Sequence, residues 1–356
     1  MSPPIALDHY RLLGRSGMRV SPLALGTMTF GSDWGWGAQA SEAARIFDAY
    51  VSRGGNLIDT AVNYTNGSSE QILGRLIKPQ RERLIISTKF TMARHPGDPN
   101  SGGNHRMNLV NSVEASLRQL DTDRIELLHL HAWDFTTSAD EVMRGLDDLV
   151  RAGKVLYLGI SNTPAWKVAQ LQTLADLRGW APLVSLQIEY NLLERSVEHE
   201  LMPMARELGL GVMPWSPLAG GMLSGKYSSA DLLDSNEADV SKTRQGVIAS
   251  TGHMSAHALA IADVVVQVAR ELAVTPSQVA LAWTFQHDAV VAPVMGARTL
   301  AQAEENFAAL AIELSDAHLA RLQQASMPAP IFPQRFIERP MAQQLISGGA
   351  RFPLRA

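Results

Sequence analysis

The chain has 356 residues, 46% of them hydrophobic, so it is long enough for two domains or one large barrel with a substantial core. It carries 31 basic and 35 acidic residues, without a long run of either sign, and it contains no cysteine. This composition excludes electrostatic attraction to nucleic acid or anionic membranes, and it also excludes disulfides, thiolate chemistry and cysteine-ligated metal sites.

The first residues and the apolar runs predict a cytoplasmic protein. Residues 1–8 lack the basic start and apolar centre of a signal peptide. Asp263 and Gln267 interrupt the best candidate for a membrane span. We therefore expect no membrane partner, and the sequence leaves the oligomeric state open.

The chain opens with a predicted β-hairpin and continues with alternating strands and helices. Residues 9–21 contain two short apolar segments around a glycine turn, which is typical of a hairpin. From Leu23 onward, short apolar runs alternate with helical stretches. The eight strand candidates are Leu23–Gly26, Asn56–Asp59, Leu84–Lys89, Ile125–His131, Val155–Asn162, Leu183–Ile188, Leu210–Ser216 and Val290–Gly296.

Helix signals lie between these strands. Ser41 is a candidate cap for a helix with one apolar face, formed by Ile46, Phe47, Tyr50 and Val51. Ser138–Glu141 and Thr275–Gln278 have the spacing of capping boxes, the second with proline at the first helical position. Eight strands alternating with helices favour a single α/β domain over residues 1–356, a (β/α)8 TIM barrel, with an open doubly wound sheet as the alternative.

Two segments break this rhythm. Residues 228–256 are rich in Ser, Asp and Gly and predict an insertion after the seventh strand, longer than an ordinary loop. We expect it to act as a lid. Residues 327–356 contain five prolines, so this tail cannot form one helix.

Polar side chains stand at the end of most predicted strands. They are Asp59, Lys89, His131, Ser161, Asn162, Gln187, Trp215 and Ser216. In a barrel these positions meet on one face, where catalytic residues are found. We expect Lys89 to point into the barrel mouth and to pair there with Asp59. His129 shares a strand face with His131, and we expect it to be a hydrogen-bonded core residue while His131 is functional.

These residues carry a resemblance to a known family. The set Gly26–Met28, Asp59–Tyr64, Lys89, His131–Asp134, Gly159–Asn162, Gln187, Trp215–Leu218 and Gly296–Arg298 resembles the aldo-keto reductase superfamily, in the same order and over nearly the whole chain. Residues 215–227 look most like the branch that includes potassium-channel β-subunits and bacterial relatives. The resemblance implies a barrel that binds NADP(H) without a Rossmann domain, and the chain has no Gly-x-Gly-x-x-Gly after a strand.

The resemblance also implies the catalytic roles. Tyr64 is expected to donate a proton to the substrate carbonyl, and His131 to orient the carbonyl oxygen or relay the proton. A phenol with an ordinary pKa of ~10 is a weak acid at neutral pH, so a neighbouring Lys89 ammonium is expected to lower that pKa. Asp59 is expected to hold Lys89 charged and in place.

The implied cofactor is NADPH or NADP⁺. Trp215 is expected to stack on the nicotinamide, and Ser161, Asn162 and Gln187 to bind its carboxamide. Arg298 is expected to meet the adenosine phosphate, with Gln302, Glu305 and Asn306 around the adenine and ribose and Lys226 as a second phosphate contact. Thr299 and Gln302 also have the spacing of a capping box. The remaining expected contacts are Gly26, Thr27, Met28, Asp59, Ser216, Leu218, Gly220 and Gly296.

The predicted activity is NADPH-dependent reduction of an aldehyde or ketone to an alcohol, with no metal. Trp34, Trp36, Phe90 and Trp133 follow predicted strands and are candidate walls of an apolar substrate pocket, with loop packing as the alternative. Two other functions stay open: an NADP(H)-binding redox-sensing or regulatory subunit, and oxidation of an alcohol. A nucleotide triphosphatase is disfavoured, because Tyr227 stands where a Walker A loop needs Ser or Thr.

Overall fold

Eight short parallel strands form the centre of the protein in the computed structural model, which describes residues 5–228, 231 and 253–350. A two-stranded hairpin, β1 (Arg11–Leu12) and β2 (Arg19–Val20), precedes them. The eight strands are β3 (Ala24–Gly26), β4 (Leu57–Asp59), β5 (Ile85–Phe90), β6 (Ile125–Leu130), β7 (Val155–Ser161), β8 (Leu183–Glu189), β9 (Gly211–Trp215) and β10 (Val294–Gly296). All eight predicted strands and the hairpin are confirmed.

The sheet closes on itself between β9 and the segment before β10. The backbone N–H of Val212 donates to the carbonyl of Ala289 at 2.9 Å, and the N–H of Val291 donates back to Val212 at 2.9 Å. Pro293 lacks an N–H, so the predicted strand Val290–Gly296 is reduced to β10 and this bridge. The nearly closed parallel sheet confirms the (β/α)8 barrel and makes the open-sheet alternative wrong.

The hairpin covers the amino-terminal end of the barrel. Its apolar side chains Leu13, Met18 and Val20 belong to the same buried cluster as inward-facing strand residues. Gly14 sits at φ 54°, and a Cβ there would lie 2.4–2.6 Å from backbone atoms of the strands and loop behind it. Only glycine fits this close approach. The carboxyl-terminal end of the barrel is therefore the end left for a site.

Helices cover the outside of the barrel. Their bounds are α1 (Ala40–Ser52), α2 (Ser68–Ile77), α3 (Arg106–Leu120), α4 (Ala139–Arg151), α5 (Ala165–Arg178), α6 (Leu201–Glu207), α7 (Ala256–Leu272), α8 (Pro276–Thr284), α9 (Leu300–Ala308), α10 (Asp316–Ser326), α11 (Gln334–Ile337) and α12 (Pro340–Ser347). Helix α4 illustrates why these helices pack on the strands: its apolar residues recur at helical spacing and form one buried face, made of Val142, Met143, Leu146 and Leu149.

One predicted capping box is confirmed and two predicted cap details are wrong. Thr275 and Gln278 bond reciprocally at the start of α8. Ser41 lies inside α1, which begins one residue earlier. Ser138 does cap α4, but the Glu141 carboxylate accepts from the N–H of Arg106 at 3.0 Å and so joins two helices.

The described part of the tail forms two short helices, α11 and α12, and Pro340 is the first residue of α12. Most of the predicted insertion 228–256 lies outside the described residues, and so does the lid expected there. Among the helices described, none is both long and apolar enough to cross a membrane.

Candidate active site

Lys89 is buried at the carboxyl end of β5, with 1% of its surface exposed. Its ammonium donates to Asp59 Oδ2 at 2.5 Å, to the carbonyl of Thr60 at 2.8 Å and to the Tyr64 hydroxyl at 3.3 Å. All three donor positions of the ammonium are therefore satisfied. The pairing of Lys89 with Asp59 in the barrel mouth follows the sequence expectation.

Asp59 collects hydrogen bonds from across the barrel. Its Oδ1 accepts from Ser87 Oγ at 2.9 Å and from Gln187 Nε2 at 2.8 Å. Gln187 belongs to β8, so this bond spans the barrel interior. Fully hydrogen-bonded surroundings are what allow a buried ion pair to persist.

The pKa values of Tyr64 and Lys89 reflect burial and their mutual contact. Burial raises the pKa of Tyr64 above its ordinary value of 10.0, and Lys89 offsets this only in part. The predicted lowering by Lys89 is thus present, but burial outweighs it. Burial alone would lower the pKa of Lys89, but the charge of Asp59 and the contact with Tyr64 raise it above 10.5. Tyr64 therefore stays protonated and Lys89 charged at neutral pH.

The two histidines near the end of β6 differ as predicted in their surroundings. His129 is fully buried, with Nδ1 3.2 Å from Ser87 Oγ and Nε2 3.1 Å from Ser185 Oγ, so it is a hydrogen-bonded core residue. His131 lies at the cavity, with its ring centroid 6.0 Å from that of Tyr64. Burial, aided by Lys89, lowers the pKa of His131 to about 3, so its ring is neutral.

A cavity of about 440 Å³ opens where the strands end. This volume lies within the range of small-molecule sites. It brings together most of the residues predicted to bind substrate or cofactor: Gly26, Met28, Asp59, Tyr64, His131, Ser161, Asn162, Gln187, Trp215, Ser216, Leu218, Gly220, Gly296 and Asn306.

Trp215 is held at the cavity wall by Asn162. The indole N–H donates to Asn162 Oδ1 at 3.1 Å, while Asn162 Nδ2 donates to the carbonyl of His131 at 2.8 Å and to Ser161 Oγ at 2.9 Å. Asn162 adopts φ 43°, a left-handed conformation that asparagine tolerates better than most residues. Its side chain therefore fixes the large flat ring at the wall of the cavity.

Five predicted cofactor residues do not line this cavity: Thr27, Lys226, Arg298, Gln302 and Glu305. Thr27 is buried and donates to the carbonyl of Asp59 at 3.1 Å. Gln302 Oε1 accepts from the N–H of Arg298 at 3.0 Å, so the expected reciprocal box with Thr299 is wrong. Glu305 accepts from Thr275 Oγ1 at 2.7 Å. Arg298 and Gln302 lie at the start of α9, beside Gly296 at the cavity.

The four candidate aromatic walls divide into two pairs. Trp36 lines the cavity, whereas Trp34 does not, although the centroid of Trp34 lies 5.8 Å from that of Trp36 and 6.4 Å from that of Tyr64. Phe90 and Trp133 belong instead to the core between strands and helices, and neither lines the cavity. Phe90 directly follows the inward-facing Lys89, and alternation along a strand turns it outward.

Two ionisable residues of the cavity, Glu189 and His253, were not predicted from the sequence. His253 Nε2 lies 2.8 Å from Glu189 Oε1, and this hydrogen bond raises the pKa of the imidazole. The position of Glu189 at the cavity could have been predicted from the sequence, because Glu189 lies two residues beyond Gln187 and therefore on the same face of the strand. His253 lies near the end of the predicted insertion 228–256, where no periodic pattern marks it.

Comparison with known proteins agrees with the fold. Residues 22–327 match the aldo/keto reductase family. Norsolorinic acid reductase of Aspergillus flavus is 36% identical over 346 residues, which cover 94% of this chain and 85% of the relative. The uncharacterized oxidoreductase YrpG of Bacillus subtilis is 36% identical over 334 residues, covering 90% and 97%. The putative aryl-alcohol dehydrogenase AAD14 of Saccharomyces cerevisiae is 33% identical over 336 residues, covering 90% and 87%. With this match over most of its length, the chain belongs to the aldo/keto reductase family.

Proposed function

We propose that this protein reduces an aldehyde or ketone to an alcohol, using NADPH and a proton from Tyr64. The observation that carries the proposal is the contact of the Tyr64 hydroxyl with the buried Lys89 ammonium, at 3.3 Å, on the wall of the cavity. A proton donor, its charged partner and a space for a small molecule thus meet at one point.

Tyr64 is suited to donate a proton because of what remains after the donation. The phenol is protonated at neutral pH, since its pKa is raised. Once the proton has left, Lys89 faces the phenolate and stabilises it, and Asp59 keeps Lys89 charged and in position.

His131 fits an orienting role better than a proton relay. With a pKa of about 3 the ring carries no charge at physiological pH, so it cannot act as an imidazolium acid. Its Nδ1 is buried and has no hydrogen-bond partner among the described residues. We propose that the neutral ring fixes the carbonyl oxygen of the substrate near the Tyr64 hydroxyl.

The residues around the cavity fit a nicotinamide cofactor. Trp215 offers a flat apolar face, and Ser161 and Gln187 bring hydrogen-bonding groups to the same wall. When bound, NADPH would supply the hydride. Arg298, at the amino terminus of α9, would bind the adenosine phosphate, because helix N–H groups and a guanidinium both favour an anion.

The reverse reaction uses the same residues, with Tyr64 as the group that receives the proton. One relative is named a reductase and another a putative aryl-alcohol dehydrogenase, so both directions are represented by name. We propose reduction as the forward direction, in which Tyr64 gives up the proton that it holds at neutral pH.

The first prediction tests the proton donor. Purified protein should consume NADPH with members of an aldehyde and ketone panel, and Tyr64→Phe should lower that rate by ~10²–10⁴ while NADPH affinity persists, since only one oxygen is removed. Stopped-flow absorbance gives the rate and fluorescence titration the affinity. Full activity in Tyr64→Phe would refute the mechanism. Tight NADPH retention without turnover of any carbonyl would favour the sensing or regulatory subunit.

A further inference from the structure

The turn that follows Tyr64 has an unusual backbone. Thr65, Asn66 and Gly67 are consecutive left-handed residues, with φ of 45°, 55° and 94°. Glycine adopts this conformation freely and asparagine tolerates it, but a β-branched threonine is strained there. Thr65 is held by its hydroxyl, which donates to the carbonyl of Phe30 at 2.8 Å. Strain that the surroundings enforce is typical of functional positions.

Asn66 uses this conformation to hold a tryptophan. Its Oδ1 accepts from the indole N–H of Trp34 at 3.3 Å. Trp34 belongs to the loop after β3, whose base is closed where Gly31 N–H donates to Ala38 at 2.9 Å and Ala38 N–H donates to Thr29 at 2.6 Å. The loop is thus fixed at its base by backbone bonds, and near its tip by Asn66.

The held ring is part of an aromatic wall beside the proposed proton donor. Trp34 meets Tyr64 edge to face, with an interplanar angle of 79°, and it also contacts Trp36, which lines the cavity. His131 meets Tyr64 edge to face as well, at 78°. The ring of Tyr64 therefore has two flat rings, Trp34 and His131, as neighbours.

We infer that Asn66 is a positioning residue: through Trp34 it sets this aromatic wall, and the wall selects flat, uncharged aromatic carbonyl compounds. The inference rests on the proposed carbonyl reduction. Aromatic rings bind flat walls better than puckered rings of equal size do, because their faces and edges match. Glu189 and His253, which also line the cavity, are paired with each other, so they favour an uncharged substrate over a carboxylate.

The test compares benzaldehyde with cyclohexanecarbaldehyde, which has a similar size but a puckered ring. Asn66→Gly keeps the left-handed backbone and removes only the acceptor for Trp34. We expect KM for benzaldehyde to rise two- to fivefold, about the effect of losing one neutral hydrogen bond. We expect kcat, and KM for cyclohexanecarbaldehyde, to stay within the error of the wild-type values.

Three further variants separate positioning from general damage. Asn66→Asp retains an acceptor oxygen, so its KM for benzaldehyde should stay close to the wild-type value instead of rising as in Asn66→Gly. Trp34→Phe removes the indole N–H, so it should raise that KM, and adding Asn66→Gly to it should bring no further rise, because both changes break the same bond. Asp121→Gly is the control, since it replaces another left-handed residue, φ 50°, at the end of α3. It should change neither KM.

The outcomes distinguish this inference from the proposed function. Equal KM changes for the two aldehydes in Asn66→Gly, or additive effects with Trp34→Phe, would overturn the role of Asn66 while leaving carbonyl reduction intact. Wild-type protein that reduces cyclohexanecarbaldehyde as readily as benzaldehyde would overturn the aromatic selection. Wild-type protein that reduces neither aldehyde, nor any ketone, would overturn the proposed function itself.

Discussion

At the scale of single residues, the site depends on a charge that the barrel interior tolerates only because it is paired. Lys89 and Asp59 are 1% and 2% exposed, and each is surrounded by hydrogen-bonding partners. Water contributes little to either charge there, so each ion depends on the other. Removing one partner leaves the other charge buried and uncompensated.

Lys89→Met should therefore affect both stability and chemistry. Methionine fills a similar volume, but the unpaired Asp59 should lower the free energy of unfolding by about 3–5 kcal/mol. Carbonyl reduction should also fall, because no cation stabilises the Tyr64 phenolate. Urea denaturation followed by circular dichroism measures the first effect.

The matched control adds Asp59→Asn to the same variant. A neutral amide needs no counter-charge and can still accept from Ser87 and Gln187, so the double variant should regain part of the lost stability while staying inactive. If Lys89→Met alone unfolds at the wild-type urea concentration, the pair does not carry the stability assigned to it.

At the scale of elements, the start of α9 is the part of the site that should decide between cofactors. Arg298 precedes this helix and is half-exposed, with its N–H held by Gln302. Arg298→Ala should weaken NADPH binding by about 1.5–3 kcal/mol, the value of a charged hydrogen bond, and leave NADH nearly unchanged, because only NADPH carries the extra phosphate. Arg298→Lys keeps the positive charge but cannot form two parallel hydrogen bonds as a guanidinium can, so its NADPH affinity should lie between those of wild type and Arg298→Ala. Isothermal titration with both cofactors decides, and an equal loss for NADPH and NADH would remove the assignment.

The elements were largely predictable because a parallel barrel needs short apolar strands separated by helices. The errors arose where a partner far away in the sequence decides the local structure. Glu141 has the spacing of a capping box, yet it bonds to Arg106 on a neighbouring helix. The last predicted strand is interrupted at Pro293, with Val290 paired to distant β9 on one side of the proline and β10 paired to distant β3 on the other.

At the scale of the whole molecule, the residues of the candidate site were predictable because a barrel collects its strand ends on one face. Strand geometry could also have excluded Phe90 from the candidate pocket walls, because alternation along β5 turns its side chain away from Lys89 and into the core. His253 was beyond such reasoning. It meets Glu189 across 64 residues of sequence, and only the folded chain brings them together.

A buried carboxyl outside the site should govern how stability depends on pH. Glu70, on α2, is fully buried and accepts from Thr88 Oγ1 on β5 at 2.5 Å, so it joins the helix layer to the barrel. Burial raises its pKa to about 7 from an ordinary 4.5, although Thr88, Ser116 and Lys89 act in the opposite direction. The folded protein therefore binds this proton more tightly than the unfolded chain does.

The sign follows from that difference. The contribution of Glu70 is fully present below about pH 4.5 and is lost as pH rises through about 7, a change of roughly 2–4 kcal/mol in the free energy of unfolding. Glu70→Gln does not titrate, so its stability relative to wild type should rise between pH 5 and pH 8. Urea denaturation of both proteins across this range measures the difference in the free energy of unfolding. The control is Glu207→Gln, at an exposed position of α6, for which the difference from wild type should not change with pH. A difference for Glu70→Gln that does not change with pH would mean that the carboxyl is ionised in the folded protein throughout the range.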